Sequence, residues 1–64
     1  STVQRSIYEA LPARGTRTVD EIAVASGVPA AQVLGPLAML EIDGLVERHD
    51  GKWGLTHKKK VGVR

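Results

Sequence analysis

The stretch Leu40-Glu41-Ile42-Asp43-Gly44-Leu45-Val46-Glu47-Arg48-His49-Asp50-Gly51-Lys52-Trp53 sets a helix end, a strand, a two-residue turn and a second strand in immediate succession. Gly44 is the residue type that takes the left-handed conformation with which many helices stop. Leu45 to His49 has strand character, and Asp50-Gly51 signals a type I′ turn, whose central residues both need positive φ. A helix running straight into a tight hairpin is how a helix-turn-helix unit acquires a β-wing. The expected fold class is therefore α+β: a small winged helix-turn-helix, three helices with a C-terminal β-hairpin wing.

The rest of the chain supplies the helices. Val3, Ile7 and Leu11 recur at helical spacing with Tyr8 beside Ile7, and Pro12 followed by Gly15 marks the end of a first helix docked by that stripe. Thr18-Val19-Asp20-Glu21 fits a capping box, so a second helix is expected from about Val19 to Ser26, burying Ile22 and Ala23 and ending at Gly27. Val28-Pro29 makes the turn, with Pro29 tolerated because the first helical amides lack intrahelical acceptors. A third helix is expected from about Ala30 to Asp43. Its core stripe is Val33, Leu37 and Leu40, and Leu34, Ala38 and Ile42 form a second stripe rotated by about 100°. Gly35-Pro36 inside it predicts a kink or a late helix start. Strands Leu45 to His49 and Lys52 to Leu55 follow, with Val46, Trp53 and Leu55 closing over the helices.

At 64 residues the chain makes one small domain, whose single core supplies only about 3–5 kcal/mol. That leaves no room for a separate catalytic cleft. It opens Ser1-Thr2 and its one methionine is Met39, so it is expected to be a piece of a longer protein. No cysteine is present, which excludes disulfides and thiolate ligands and suits a reducing cytoplasm. His49 and His57 alone make a poor metal site, so no metal or cofactor is expected. No apolar run approaches a membrane span and no signal-peptide pattern opens the chain, so a soluble, cytoplasmic protein without membrane contact is expected. The net charge of +2 conceals a division. Lys58, Lys59, Lys60 and Arg64 close the chain, leaving five basic against seven acidic residues, a net −2, in residues 1–57. A domain-wide basic footprint for nucleic acid is absent.

Enzyme constellations fail on geometry, and no catalytic residue is expected. His49 and Asp50 are neighbours at a strand end, so they point apart, and no serine or cysteine nucleophile is placed near them. Gly51-Lys52-Trp53-Gly54 has no following helix to supply phosphate-binding amides. Nucleic acid is the serious candidate, because helix-turn-helix units place their second helix in the major groove. Reading base edges there needs Arg, Lys, Asn or Gln. Between Ala30 and Asp43 the only such residue is Gln32, while Glu41 and Asp43 repel phosphates. Sequence-specific reading by helix three is therefore not expected. Arg48 and Lys52 on the wing and the Lys58, Lys59, Lys60 run are the cations available for weak, salt-sensitive phosphate contact. Equally, Arg48 and Lys52 would keep a wing edge soluble, and Arg14 and Arg17 read as ordinary surface charges. Trp53 reads as a cap on a small core rather than a stacking platform. Leu34, Met39 and Ile42, if exposed together, would make an apolar patch suited to a protein partner.

From about Ile7 to Thr56 the chain resembles the C-terminal winged-helix domain of the DprA (Smf) family of bacterial DNA-processing proteins. The resemblance lies in Val19-Asp20-Glu21-Ile22-Ala23, in Gly27-Val28-Pro29-Ala30-Ala31-Gln32-Val33, and in Leu37 to Val46 followed by a glycine-turned wing. Leu40-Glu41-Ile42-x-Gly44-x-Val46 is its more specific element. Two departures bear on the pose of helix three: Pro29 stands where a serine cap is frequent, and Gly35-Pro36 interrupts a helix that is usually continuous. The resemblance implies a parent protein with a Rossmann-like domain that binds single-stranded DNA in natural transformation and helps load the RecA recombinase, the winged domain being accessory. None of the Rossmann-like domain's DNA-binding residues lies here.

The sequence thus predicts a winged-helix domain over 1–56 and a flexible basic tail over 57–64. DNA contact, single- or double-stranded, is expected from Arg48, Lys52, Lys58, Lys59 and Lys60. Protein contact through Leu34, Met39 and Ile42 is the alternative, with the parent's Rossmann-like domain, a second copy or a recombination protein as partner. A fragment of a winged-helix transcription regulator would need base-reading donors that helix three lacks.

Overall fold

The computed structural model describes residues 2–56. Three α-helices, α1 (Thr2–Glu9), α2 (Val19–Ser26) and α3 (Leu34–Ile42), precede an antiparallel hairpin of β1 (Val46–His49) and β2 (Lys52–Leu55). A 3-10 turn, Ala30–Gln32, lies between α2 and α3. The chain thus folds as the small α+β winged helix anticipated from its sequence. The expected tail over 57–64 lies outside the described residues.

Each helix boundary has a local cause. At the start of α2 the Glu21 amide donates to Thr18 Oγ1 at 3.1 Å and the Thr18 amide donates to Glu21 Oε1 at 2.9 Å, closing the capping box. Gly27 ends the helix at φ 77° and its amide donates to the Ala23 carbonyl. The Val28 amide then donates to Ser26 Oγ at 3.1 Å, which tightens the turn. At the end of α3 the Leu45 amide donates to the Leu40 carbonyl and the Gly44 amide to the Glu41 carbonyl, both at 2.9 Å. This pair of bonds is a Schellman motif, and Gly44 at φ 78° supplies its left-handed residue.

Gly35-Pro36 produces a late helix start. Instead of one helix from Ala30, the chain makes a 3-10 turn, passes through Val33 and begins α3 at Leu34. Leu34, Gly35 and Pro36 then fill the first three helical positions, where amides have no intrahelical acceptor, and the Leu37 amide donates to the Val33 carbonyl at 3.1 Å. Proline therefore costs this helix no hydrogen bond.

The core is built from Ile7 and Leu11, Ile22 and Val28, Val33, Leu37 and Leu40, and Val46 and Trp53 of the wing, with Ala23 and Leu55 packed against it. Val3 departs from the expected stripe: it lies in the first turn of α1, where no earlier described segment covers it, and it is exposed. The helix itself ends at Glu9, with Ala10 and Leu11 following as a turn rather than a further helical turn. Asp50 and Gly51 have φ 51° and 77°, the two positive values a type I′ turn needs. The hairpin register pairs Val46 with Leu55, Glu47 with Gly54, Arg48 with Trp53 and His49 with Lys52. A further element is not marked by any hydrophobic pattern. Arg17 pairs antiparallel with Trp53 on the far edge of β2, through two backbone hydrogen bonds of 2.8 Å each. That bridge ties the wing to the segment leading into α2.

Candidate functional site

The register sorts the wing's side chains onto two faces, because directly paired residues and alternate residues of a strand share a face. Val46, Arg48, Trp53 and Leu55 face the helices; Glu47, His49, Lys52 and Gly54 face away. Val46 and Trp53 are buried, whereas Arg48 lies at the rim, its guanidinium carbon 5.5 Å from the Trp53 ring centroid. Arg48 is thus both a lid on the one tryptophan and an exposed cation. Lys52, the other wing cation, is exposed on the outer face beside His49.

His49 does not stand alone. Its Nε2–H donates to Glu47 Oε1 at 2.9 Å, an exposed contact between residues two apart on the same strand face. The pair reduces the outer face's positive character and leaves Lys52 as its cation. Gly54, across from Glu47, sits under the loop between α1 and α2: a Cβ there would lie 2.6 Å from the Gly15 carbonyl oxygen. An open depression lined by Gly15, Thr16, Glu47, His49, Gly54 and Leu55 results. Glycine in a strand pattern is a signal of such a close backbone approach.

Of the arginines before α2, Arg14 is exposed and Arg17 is half-buried. Arg17 lines a shallow hollow with Asp20, Glu21, Val24 and Ala25. Its structural contribution is through the backbone, by the bridge to Trp53. Another open hollow, between α1 and the end of α3, is lined by Gln4, Arg5, Tyr8, Leu40 and Leu45. Among the described residues no three His, Cys, Asp or Glu side chains are grouped to hold a metal ion.

Helix α3 is the element that a major-groove reader would insert into DNA. Val33, Leu37 and Leu40 turn inward, while Leu34 is 54% exposed, Met39 52% and Ile42 77%. The expected patch is therefore on the surface. Glu41 and Asp43 are exposed at its borders, and Gln32 lies in the 3-10 turn before α3. The structure places Arg48 and Lys52 on opposite faces of the wing, and Leu34, Met39 and Ile42 together on one helix. Lys58, Lys59 and Lys60 lie outside the described residues.

Three helices, a turn-linked second and third helix and a β-wing define a winged helix-turn-helix domain, here without base-reading donors on its third helix. The DprA winged helix domain, as a family model, matches residues 1–52, and the chain belongs to that family. It is 62% identical over 53 residues to the "Putative DNA processing protein DprA" of Mycobacterium tuberculosis, in strain CDC 1551 / Oshkosh and in strain ATCC 25618 / H37Rv. The match takes in 83% of this chain and 14% of each relative, so the chain spans about a seventh of the length of the curated relatives it matches. No solved structure gives a significant match. Among the described residues no single helix is long and apolar enough to cross a membrane.

Proposed function

We propose that this chain is an accessory, non-enzymatic domain of a DprA-like protein acting in natural transformation and homologous recombination in the cytoplasm, and that it gives that protein weak, sequence-independent DNA contact. The contact is made by the wing, through Arg48 and Lys52, and by Lys58, Lys59 and Lys60 of the tail. The observation that supports this most is the separation of cations from α3: the groove-reading helix offers phosphates only carboxylates and apolar groups, while exposed cations stand on the hairpin. Such contact positions a duplex or a single strand without reading it. Five phosphate contacts would give a slope of log K against log salt near −4.5 on duplex and −3.5 on single strands, by about 0.9 and 0.7 per contact.

The test is an amide chemical-shift titration of the chain with single- and double-stranded oligonucleotides at low salt. Shifts centred on Arg48, Lys52 and Lys58 to Lys60, alike for unrelated sequences, are expected. Unmoved wing and tail amides, or shifts centred on α3, overturn the proposal. A second reading is favoured by the exposure of Leu34, Met39 and Ile42: the outer face of α3 is a protein-contact surface, for the parent's Rossmann-like domain, a second copy or a recombination protein.

A further inference from the structure

The outer face of α3 has a size pattern as well as an apolar character. With Val33, Leu37 and Leu40 turned inward, the helical period puts Gly35, Ala38, Met39 and Ile42 on the opposite side. All four are exposed. Nothing lies within 4 Å of where a Cβ on Gly35 would stand. The face is thus a hollow, over Gly35 and Ala38, next to two protruding side chains, Met39 and Ile42. Its spacing of i, i+3, i+4 and i+7 is that of a helix meeting another helix. Glu41 and Asp43 lie to the sides, leaving the centre of the face uncharged.

We infer that a second copy of this chain covers this face, docked as an antiparallel α3–α3 pair about a two-fold axis passing between Ala38 and Met39. In that register Ile42 of each copy stands over Gly35 of the other, and Met39 over Ala38, so a large side chain meets a small one at every step. Parallel pairing would oppose Gly35 to Gly35, Ile42 to Ile42 and Glu41 to Glu41, and would align the two helix dipoles unfavourably. An isologous contact needs a self-complementary patch, and this pattern provides one. Two helical turns cover on the order of 400 Å² per copy, about half the roughly 800 Å² per partner of a standard specific interface, so the pair is weak and transient. We expect a dissociation constant on the order of 10⁻⁴ M, because a contact of this size keeps little free energy after the cost of association. The inference rests on the reading of α3 as a protein-contact face and names its occupant.

The experiment is sedimentation equilibrium on the 64-residue chain from about 10 μM to 2 mM, a range that brackets the expected constant. Gly35→Leu sets its Cβ at an exposed position with no side chain within 4 Å, and Ile42→Ala shortens a side chain that is 77% exposed, so both variants should keep the fold, as circular dichroism checks. Each should weaken self-association by about tenfold or more, one knob or hole being lost at both ends of the pair. The double variant Gly35→Leu/Ile42→Ala exchanges knob and hole and should recover pairing. A chain that stays monomeric throughout, a dimer indifferent to Gly35→Leu, or a double variant no stronger than the singles overturns the inference. If the chain stays monomeric while another domain of the parent shifts the Met39 and Ile42 amides, self-pairing is refuted and α3 remains a protein-contact face.

Discussion

Gly54→Ala should remove a large part of this domain's stability although it adds one methyl group. The added Cβ would lie 2.6 Å from the Gly15 carbonyl oxygen and 3.2 Å from Thr16 Cγ2, and the first of these is backbone, which no rotamer change relieves. Relief requires the loop between α1 and α2 to move off β2 by a few tenths of an ångström or more. The segment that must move is the one whose Arg17 exchanges two 2.8 Å hydrogen bonds with Trp53. Weakening both bonds by about 0.5 kcal/mol each, together with overpacking strain of about 1–2 kcal/mol, gives a loss of about 2–3 kcal/mol. Against the roughly 3–5 kcal/mol expected of so small a core, that is about half the stability or more. The melting temperature should fall by about 8–24 °C, taking about 4–8 °C per kcal/mol for a domain of this size. Urea melts followed by fluorescence of the one tryptophan, Trp53, measure the change. Gly35→Ala is the matched control, because its Cβ meets nothing within 4 Å; it should be neutral or stabilising by up to about 1 kcal/mol. If Gly54→Ala falls within about 0.5 kcal/mol of the parent chain, the close approach of loop and strand described here is wrong.

Thr18→Ala opens the capping box at α2 and should cost about 1 kcal/mol in the same melts, whereas Val24→Ala, on a side chain 86% exposed, should change them little. Arg48→Gln removes the cation above Trp53 and should cost about 0.5 kcal/mol while shifting the Trp53 emission to longer wavelength as water gains access to the ring. Lys52→Gln leaves the fold intact and should lower the magnitude of the salt slope of duplex binding by about 0.9, without changing preference among sequences.

Much of the architecture was legible in the chain because it depends on short-range chemistry. The capping box at Thr18, the left-handed stops at Gly27 and Gly44 and the Asp50-Gly51 turn are each decided by residues within four positions of one another. The core positions Ile7, Ile22, Val33, Leu37, Leu40, Val46 and Trp53 follow once those boundaries fix the faces. What escaped was decided at long range. Arg17 makes its strand pairing as a single residue, too short for any periodicity to mark. Arg48 drew attention by its charge, but its facing is set by the register opposite Trp53, which places its stem over a buried ring. Val3 continues the α1 stripe in sequence and has nothing described above it to be buried against. The exposure of Leu34, Met39 and Ile42 required knowing which side of α3 the wing and α1 occupy.

The bridge between Arg17 and Trp53 also says something about how the chain folds. Its partners are about 36 residues apart, so closing it carries a loop entropy that the helix caps and the hairpin turn avoid. The helical turns and the hairpin have local routes to formation, on submicrosecond and microsecond scales respectively. The clasp between them comes only when the segment before α2 and the second wing strand have found each other. The wing's orientation on the helices is thus held by a contact that no local sequence signal announces as well as by the packing of Val46 and Trp53 in the core.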